Sequence, residues 1–269
     1  MSLPTALEFF PSTRTHGQDG ADRGYHPLPS ALRIHAPEDE ALKQGAILRG
    51  EGDELHANAV RRANDDLAEK QLSAVAEPLT KRVFDLGLAV LGLLLSLPLW
   101  VVISVAIYLE DGRPILFIQK RVGKNGKEFT AYKFRTIYRR YDDQVGHALA
   151  LHADDQKVTR VGKILRKTAL NELPQLLNIL RGEMSFVGPR PEPPEFIAAY
   201  EKEVPNIGKI RYQIRPGLTG IAQIFGRHNT YPRNKLRYDL LYMRRQSLWL
   251  DIKLIGMSVW NTIRARWDA

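Results

Sequence analysis

An uncharged run of 24 residues, from Leu86 to Leu109, restricts the possible folds of this chain more than any other feature of its sequence. A helix that crosses the hydrocarbon core of a bilayer needs about 20 mostly apolar residues. A buried core helix is the alternative, but such helices seldom need a run of this length. Lys81 and Arg82 precede the run, and basic residues there favour a start on the cytoplasmic side. The sequence therefore predicts a membrane helix over residues 79–110.

A proline lies in the middle of this run. Pro98, two residues after Ser96, lacks a backbone donor and crowds the preceding turn, so it predicts a kink. Each arm then has only about a dozen residues, which is short for crossing a bilayer. We therefore predict a re-entrant helix, broken at Ser96 and Pro98, that enters the membrane and returns to the same face. A kinked helix that crosses fully is the alternative.

The charge of the chain is unevenly distributed. Residues 1–80 contain 8 basic and 13 acidic residues, whereas residues 81–269 contain 31 basic and 17 acidic residues. The basic part predicts an acidic partner such as a nucleotide, a phospholipid or a nucleic acid. We do not expect nucleic acid, because no recognition-helix or aromatic signature accompanies the charge. Residues 1–78 lack sustained apolar periodicity, and we predict a polar, mobile N-terminal tail.

Residues 111–269 have the pattern of a globular domain. Asn125-Gly126 between two apolar segments predicts a β-hairpin. Apolar residues at helical spacing predict helices within residues 157–182, with Pro174 in the first turn of the second helix.

The C-terminal part predicts helices that lie along the membrane surface. Leu, Ile and Trp alternate there with Arg and Lys, and Trp249, Trp260 and Trp267 are expected at the level of the head groups. Amphipathic helices packed in a soluble domain are the alternative. The predicted fold class is thus α/β: mostly helical with a small β-hairpin, comprising a membrane-embedded re-entrant helix and a cytoplasmic globular domain with interfacial amphipathic helices.

Cations and one carboxylate provide the candidate chemistry. Neither a GxxxxGK[ST] loop nor a GxGxxG after a strand occurs. Glu172 is the only acidic residue between Asp155 and Glu183, within a basic segment. A carboxylate among cations can hold Mg²⁺ against a diphosphate, whereas on a plain helix it would be a solvent-facing or capping charge. Converging cations bind phosphate oxygens, and the candidates are Lys133, Arg135, Arg166, Arg190 and Arg215.

Five segments resemble, in order, the bacterial sugar transferases, which are monotopic polyprenyl-phosphate phosphoglycosyl transferases. The segments are KRVFD, FIQKRVGKNGKEFTAYKFRT, LRKTALNELPQL, GEMSFVGPRP and RPGLTGIAQIFGR. The resemblance extends from about Lys81 to the C-terminus, with residues 1–78 outside it. One departure is Ser-Leu-Pro at Ser96–Pro98, where the family usually has Ser-Pro.

This resemblance implies a reaction and a location. The protein would transfer sugar-1-phosphate from a nucleoside-diphosphate sugar, expected to be a UDP-sugar, to undecaprenyl phosphate. That step starts exopolysaccharide, O-antigen or glycoconjugate synthesis beside other glycan-assembly enzymes. The implied location is the bacterial inner membrane, with the catalytic domain on the cytoplasmic face.

The resemblance also implies a covalent mechanism, from which this chain departs at one residue. Family members form a phospho-aspartate on the first residue of an Asp-Glu pair, and the Glu holds Mg²⁺ or Mn²⁺. Here the metal ligand would be Glu172, and the nucleophile position is Asn171. Four accounts remain open: attack by Glu172 or another carboxylate, substrate binding without turnover, an engineered Asp→Asn change, or direct transfer between the substrates. The alternative to an enzyme is therefore a silent membrane-bound homologue that binds nucleotide sugar or lipid phosphate and scaffolds glycan assembly.

Overall fold

The computed structural model describes residues 77–141, 157–226 and 231–264. The predicted N-terminal tail, residues 1–78, lies outside the described residues except for its last two. Trp267, which was predicted to lie near the head groups, also lies outside them.

The uncharged run belongs to one long helix, α1, over Leu79–Asp111. By length and composition this helix could cross a membrane. The helix continues through Pro98, so the proline lies inside α1 and does not end it. The Ser96 hydroxyl donates to the Leu93 carbonyl at 3.3 Å and accepts from the Trp100 indole nitrogen at 3.1 Å. A candidate membrane helix is thus confirmed among the described residues, while its bend at Ser96 and Pro98 stays a prediction.

The predicted hairpin is confirmed. Strands β1 (Leu116–Val122) and β2 (Glu128–Phe134) pair antiparallel around a 3₁₀ turn at Lys124–Gly126. In that turn Asn125 and Gly126 have positive φ angles of 57° and 75°. Glycine and asparagine tolerate this left-handed region better than other residues do, which explains why this dipeptide turns the chain here.

Two short helices occupy the segment predicted to be helical. Helix α2 covers Arg160–Lys167, and helix α3 covers Gln175–Arg181. Pro174 lies immediately before α3, one residue ahead of its predicted place, where its missing N–H breaks no helical hydrogen bond. The later helices are α4 (Pro194–Glu203), α5 (Ile207–Arg211), α6 (Ile221–Phe225), α7 (Pro232–Arg245) and α8 (Leu248–Ile263).

A second, parallel pair of strands was not predicted. Strand β3 (Ser185–Val187) pairs with β4 (Gly217–Thr219). Each strand has only three residues, too few to show an alternation of apolar and polar positions. The mostly helical class with a small hairpin is therefore confirmed, and the parallel pair adds to it.

One face of α1 belongs to the core of the domain. Ala89 is fully buried against the hairpin and α3 in a cluster that includes Phe129 and Ile179. Ile103 and Ile107 are buried in a second cluster against β2 and α2. Apolar side chains also cover much of the opposite face, where the exposed residues include Leu91, Leu94, Leu95, Leu97, Val101, Val102 and Val105.

The N-terminal end of α1 is fixed to the domain by polar contacts. The Lys81 ammonium forms a buried ion pair with Asp251 of α8 at 2.8 Å. Arg82 donates to the carbonyl groups of Ile179 and Leu180, at the end of α3, at 2.7 and 3.0 Å. Charged side chains therefore hold this end of α1 against two other helices.

The C-terminal end of α1 is fixed to the same domain. The Glu110 carboxylate accepts hydrogen bonds from the backbone N–H groups of Arg160 and Val161, at 2.6 and 2.9 Å. Asp111 forms an ion pair with Arg135, directly after β2. Both ends of the apolar helix are consequently held by one globular domain.

Candidate active site

The hairpin provides a polar inner face. Because side chains alternate along a strand and paired residues share a face, Gln119 and Arg121 of β1 lie on the same side as Ala131 and Lys133 of β2. Arg121 is buried, with an exposed fraction of 3 %. Its guanidinium donates to the Pro191 carbonyl at 2.7 Å and to the Gln119 side-chain oxygen. These two hydrogen bonds therefore fix the buried guanidinium of Arg121 on this face of the hairpin.

A 3₁₀ turn over Leu170–Glu172 brings the lone carboxylate to this face. The turn follows Ala169, whose positive φ of 56° reverses the chain after α2. The Glu172 carboxylate accepts a hydrogen bond from the Lys133 ammonium at 2.5 Å. The basic segment and the hairpin thus meet at one charge-assisted contact.

Two proline-containing loops, residues 188–193 and 212–216, close the other side of the site. A Cβ at position 217 would lie 2.0 Å from the backbone nitrogen of Gly188, so the loops can approach this closely only with glycine there. The carbonyl of Arg190 accepts a hydrogen bond from the Tyr212 hydroxyl at 3.0 Å. These contacts fix the backbone on either side of the Arg190 side chain.

The hairpin, the turn, the start of α3 and the two loops enclose a small cleft. Its lining includes cationic side chains, one carboxylate and one amide. The lining residues are Arg121, Ala131, Lys133, Glu172, Gln175, Arg190, Pro191, Gly217 and Leu218.

The charges in the cleft shift one another's pKa values. Burial opposes ionisation of Glu172, but the charges of Lys133, Arg190 and Arg121 outweigh it and hold the pKa of this carboxyl below its usual range. Burial, together with the positive charges of Arg190 and Arg121, lowers the pKa of Lys133 despite its bond to Glu172. Burial and Arg190 lower the pKa of Arg121 to about 10. Glu172 is therefore anionic and Arg121 cationic at neutral pH.

The structure brings together three of the residues predicted from the sequence: Lys133, Glu172 and Arg190. Asn171 directly precedes Glu172 and is half-buried, but it is not part of the cleft lining. Within the described part of the chain its side chain forms no hydrogen bond. The candidate nucleophile position is therefore beside the cleft, and its amide has no hydrogen-bond partner among the described residues.

Three predicted phosphate ligands are engaged outside the cleft lining. Arg135 is buried and binds Asp111 and the Gly112 carbonyl. Arg215 binds Glu77 at 2.7 Å and the Gly182 carbonyl at 2.8 Å. Arg135 therefore holds the C-terminal end of α1, whereas Arg215 holds Glu77, two residues before α1, next to the end of α3.

Arg166 is the third. It lies on α2, and its Nε donates to the Thr136 hydroxyl at 3.0 Å. This contact ties α2 to the segment that follows β2.

Sequence reasoning missed two polar side chains of the cleft, those of Arg121 and Gln175. The strand period could have found Arg121, because the hairpin register places it on the face of Lys133. Gln175 follows the Leu-Pro of the central motif, and nothing in its local sequence distinguishes it from a surface glutamine. Its Nε2 is buried without a hydrogen-bond partner among the described residues.

The residues available for a metal ion are few. The described ranges contain no group of three His, Cys, Asp or Glu side chains that could hold one. Glu172 is the carboxylate of the cleft, and one of its oxygens is bound to Lys133. This donor set fits a Mg²⁺ that takes one carboxylate ligand and completes its shell with substrate phosphates and water. It does not fit a metal held by protein side chains alone.

The whole described region falls within one family match. A model of the bacterial sugar transferase family matches residues 76–265. The chain belongs to the bacterial sugar transferase family. The match begins just before α1 and includes the hairpin, the central turn and both proline-containing loops, so the resemblance found in the sequence is confirmed.

Curated relatives of this sugar transferase have closely related names. This chain is 44 % identical over 193 residues to the UDP-glucose:undecaprenyl-phosphate glucose-1-phosphate transferase of Caulobacter vibrioides. The match covers 70 % of this chain and 71 % of that protein. It is 39 % identical over 202 residues to the UDP-N-acetylgalactosamine-undecaprenyl-phosphate N-acetylgalactosaminephosphotransferase of Aeromonas hydrophila, covering 72 % of this chain and 47 % of that protein. A UDP-glucose:undecaprenyl-phosphate glucose-1-phosphate transferase of Escherichia coli K12 is 38 % identical over 188 residues, covering 68 % of this chain and 40 % of that protein. The chain thus spans less than half the length of the last two.

Proposed function

We propose that this sugar transferase moves sugar-1-phosphate from a UDP-sugar to undecaprenyl phosphate and releases UMP. The observation that carries the proposal is the cleft in which Arg121, Lys133 and Arg190 surround Glu172. Family membership supports it, because relatives that share 38–44 % identity are named for this reaction with UDP-glucose. The transferred sugar remains open, since another relative is named for UDP-N-acetylgalactosamine.

The cleft has the chemistry that a diphosphate requires. Arginine donates two parallel hydrogen bonds to phosphate oxygens, and lysine adds a point charge. Phosphoryl transfer spreads negative charge over the phosphoryl oxygens, so fixed cations stabilise its transition state. Arg121 and Arg190 would bind and orient the diphosphate, while Lys133 neutralises an oxygen beside Glu172.

We also propose that Glu172 is the protein ligand of Mg²⁺ or Mn²⁺. The carboxylate oxygen that does not bind Lys133 would face the ion, and the diphosphate would supply further ligands. A bound divalent ion would supply positive charge that offsets the negative charge developing on the diphosphate during transfer. Because one carboxylate is a weak site by itself, metal binding should depend on the nucleotide sugar.

A turnover assay tests the proposed function. The purified protein in detergent micelles or nanodiscs is incubated with undecaprenyl phosphate, Mg²⁺ and one of several UDP-sugars, including UDP-glucose and UDP-N-acetylgalactosamine. Release of UMP that requires both substrates is the expected result. If the protein binds a UDP-sugar or the lipid phosphate but neither it nor its Asn171→Asp variant releases UMP, the scaffold alternative replaces the enzyme.

For the membrane helix we propose a re-entrant course in the bacterial inner membrane, with the domain on the cytoplasmic face. The support is that both ends of α1 are fixed to one domain, through Lys81 and Arg82 at one end and Glu110 and Asp111 at the other. A straight helix of this length would span roughly 50 Å at about 1.5 Å per residue, so crossing the membrane would separate these contacts. The exposed apolar face of α1 would contact the acyl chains.

We extend this proposal to α8 as an interfacial helix. Its exposed side chains include Trp249 and Trp260, with exposed fractions of 76 % and 52 %. Asp251, on another face of the helix, is buried in the ion pair with Lys81. Helix α8 contacts the N-terminal end of α1, where α1 would enter the membrane. Exposed tryptophan side chains at this place are suited to the head-group region.

Cysteine labelling tests the re-entrant course. The natural chain contains no cysteine, so Thr80→Cys and Arg113→Cys, both at exposed positions flanking the apolar run, each introduce a single thiol. In inside-out vesicles a membrane-impermeant maleimide should label both variants, and in right-side-out vesicles it should label neither. Labelling of the two positions from opposite sides would contradict the re-entrant course and support a full crossing.

A further inference from the structure

Gln175 has the properties of a ligand-binding group that lacks its ligand. Its side chain is 97 % buried, with an exposed fraction of 3 %, and it lines the cleft beside Glu172 and Arg190. The side-chain Nε2 has no hydrogen-bond partner within the described residues. Buried amide groups are almost always hydrogen-bonded, because burying one without a partner is unfavourable. A buried donor without a partner, in a cleft lined by cations, requires an explanation.

The backbone around Gln175 holds this side chain in place. Gln175 is the first residue of α3, directly after Pro174, whose ring fixes its own φ. The next residue, Leu176, is buried in the core cluster that joins α3 to α1 and the hairpin. The side chain is therefore presented to the cleft by a segment that cannot easily move to satisfy it.

The surroundings indicate the kind of partner that the amide would meet. Arg121, Lys133 and Arg190 already attract an anion to this cleft, and the Glu172 oxygen next to them is occupied by Lys133. A phosphoryl oxygen drawn in by these cations is an acceptor that an amide N–H can bind. We propose that the Gln175 side chain donates a hydrogen bond to a phosphoryl oxygen of a substrate and so positions it for transfer. This inference rests on the proposed function and adds a substrate-positioning residue to it.

The inference predicts opposite effects of one substitution on stability and on binding. Gln175→Met keeps the length of the side chain but removes the unsatisfied amide. The melting temperature of the ligand-free protein should therefore stay the same or rise, whereas a merely structural glutamine would lower it when replaced. Affinity for the phosphate-bearing substrate should fall about tenfold, as expected when one hydrogen bond to a charged acceptor is lost.

Two binding titrations identify the source of the phosphoryl oxygen. Calorimetric Kd values with Mg²⁺ are measured for UDP-glucose, and separately for undecaprenyl phosphate in micelles, for the natural protein and for Gln175→Met. Weaker binding of either substrate supports the inference and identifies which one Gln175 contacts. Gln246→Met is the control, because it makes the same substitution at a half-buried glutamine that lies outside the cleft lining.

The outcomes separate this inference from the proposed function. If the natural protein binds neither substrate, the proposed function fails. If it binds them and Gln175→Met leaves both Kd values unchanged within about twofold, the positioning role is refuted while the proposed function stands. A lower melting temperature of Gln175→Met without loss of affinity also refutes it, since that pattern belongs to a structural residue.

Discussion

Replacing Asn171 by aspartate should raise the rate of UMP release by about a hundredfold or more. An amide carries no negative charge and is a very poor nucleophile towards phosphorus, whereas a carboxylate can attack and form a covalent intermediate. The Asn171 side chain adjoins Glu172, is half-buried, and has no hydrogen-bond partner within the described ranges. Among the described residues, no hydrogen bond therefore holds it away from a substrate. Because asparagine and aspartate are nearly isosteric, the fold and the membrane association should change little.

Two measurements check this prediction. The first is UMP release with UDP-sugar, undecaprenyl phosphate and Mg²⁺. The second is the intact mass after incubation with UDP-sugar alone, where the Asn171→Asp protein should gain a sugar-phosphate adduct and the natural protein should not. Asn206→Asp is the matched control, because it adds the same charge at an exposed position outside the cleft lining.

Equal turnover of the two proteins would show that position 171 is not the nucleophile. An adduct on the natural protein would lead to the same conclusion, and its position in the sequence would then decide between Glu172 and another carboxylate. Turnover by the natural protein without any adduct would favour direct transfer between the two substrates.

Replacing Glu172 by glutamine should reduce turnover to background, at least about a hundredfold below the parent protein. The substitution removes the carboxylate of the cleft, leaves Lys133 without its ion-pair partner and makes the charge around Arg121 and Arg190 more positive. The glutamine oxygen can still accept the hydrogen bond from Lys133, so the fold should persist. A loss of turnover would therefore reflect the missing carboxylate charge and the missing metal ligand, and it would not reflect unfolding. It should appear both in the natural protein and in the Asn171→Asp background.

Metal-dependent binding distinguishes this role from a structural one. Addition of Mg²⁺ should strengthen UDP-sugar binding by the parent protein, and Glu172→Gln should remove most of that effect. Glu183→Gln is the control, because Glu183 accepts a hydrogen bond from Asn178 at 2.7 Å and does not line the cleft. Full activity in excess EDTA, or unchanged turnover of Glu172→Gln, would rule out the proposed metal ligand.

The sequence by itself predicted the helices and turns that depend mainly on residues close together in the chain. The uncharged run predicted an apolar helix of membrane length, and the Asn125-Gly126 pair provides the positive φ angles that its hairpin turn requires. The central motif identified Glu172 because a single carboxylate within a basic segment is conspicuous without any knowledge of the fold. Lys133 and Arg190 followed from their charge and from the family resemblance.

Only the tertiary structure decided which cations meet in one place. Arg135 and Arg215 appeared equivalent to Arg190 in the sequence, yet Arg135 binds Asp111 at the end of α1 and Arg215 binds Glu77 just before α1 begins. Arg121 joined the cleft because the hairpin register turned it to the same face as Lys133.

The three-residue strands β3 and β4, and the buried amide of Gln175, left no periodic signal in the sequence, because their partners come from distant segments. The physical reason is general: helices and tight turns depend on neighbouring residues, whereas ion pairs and clefts depend on contacts between segments that the chain brings together only when it folds.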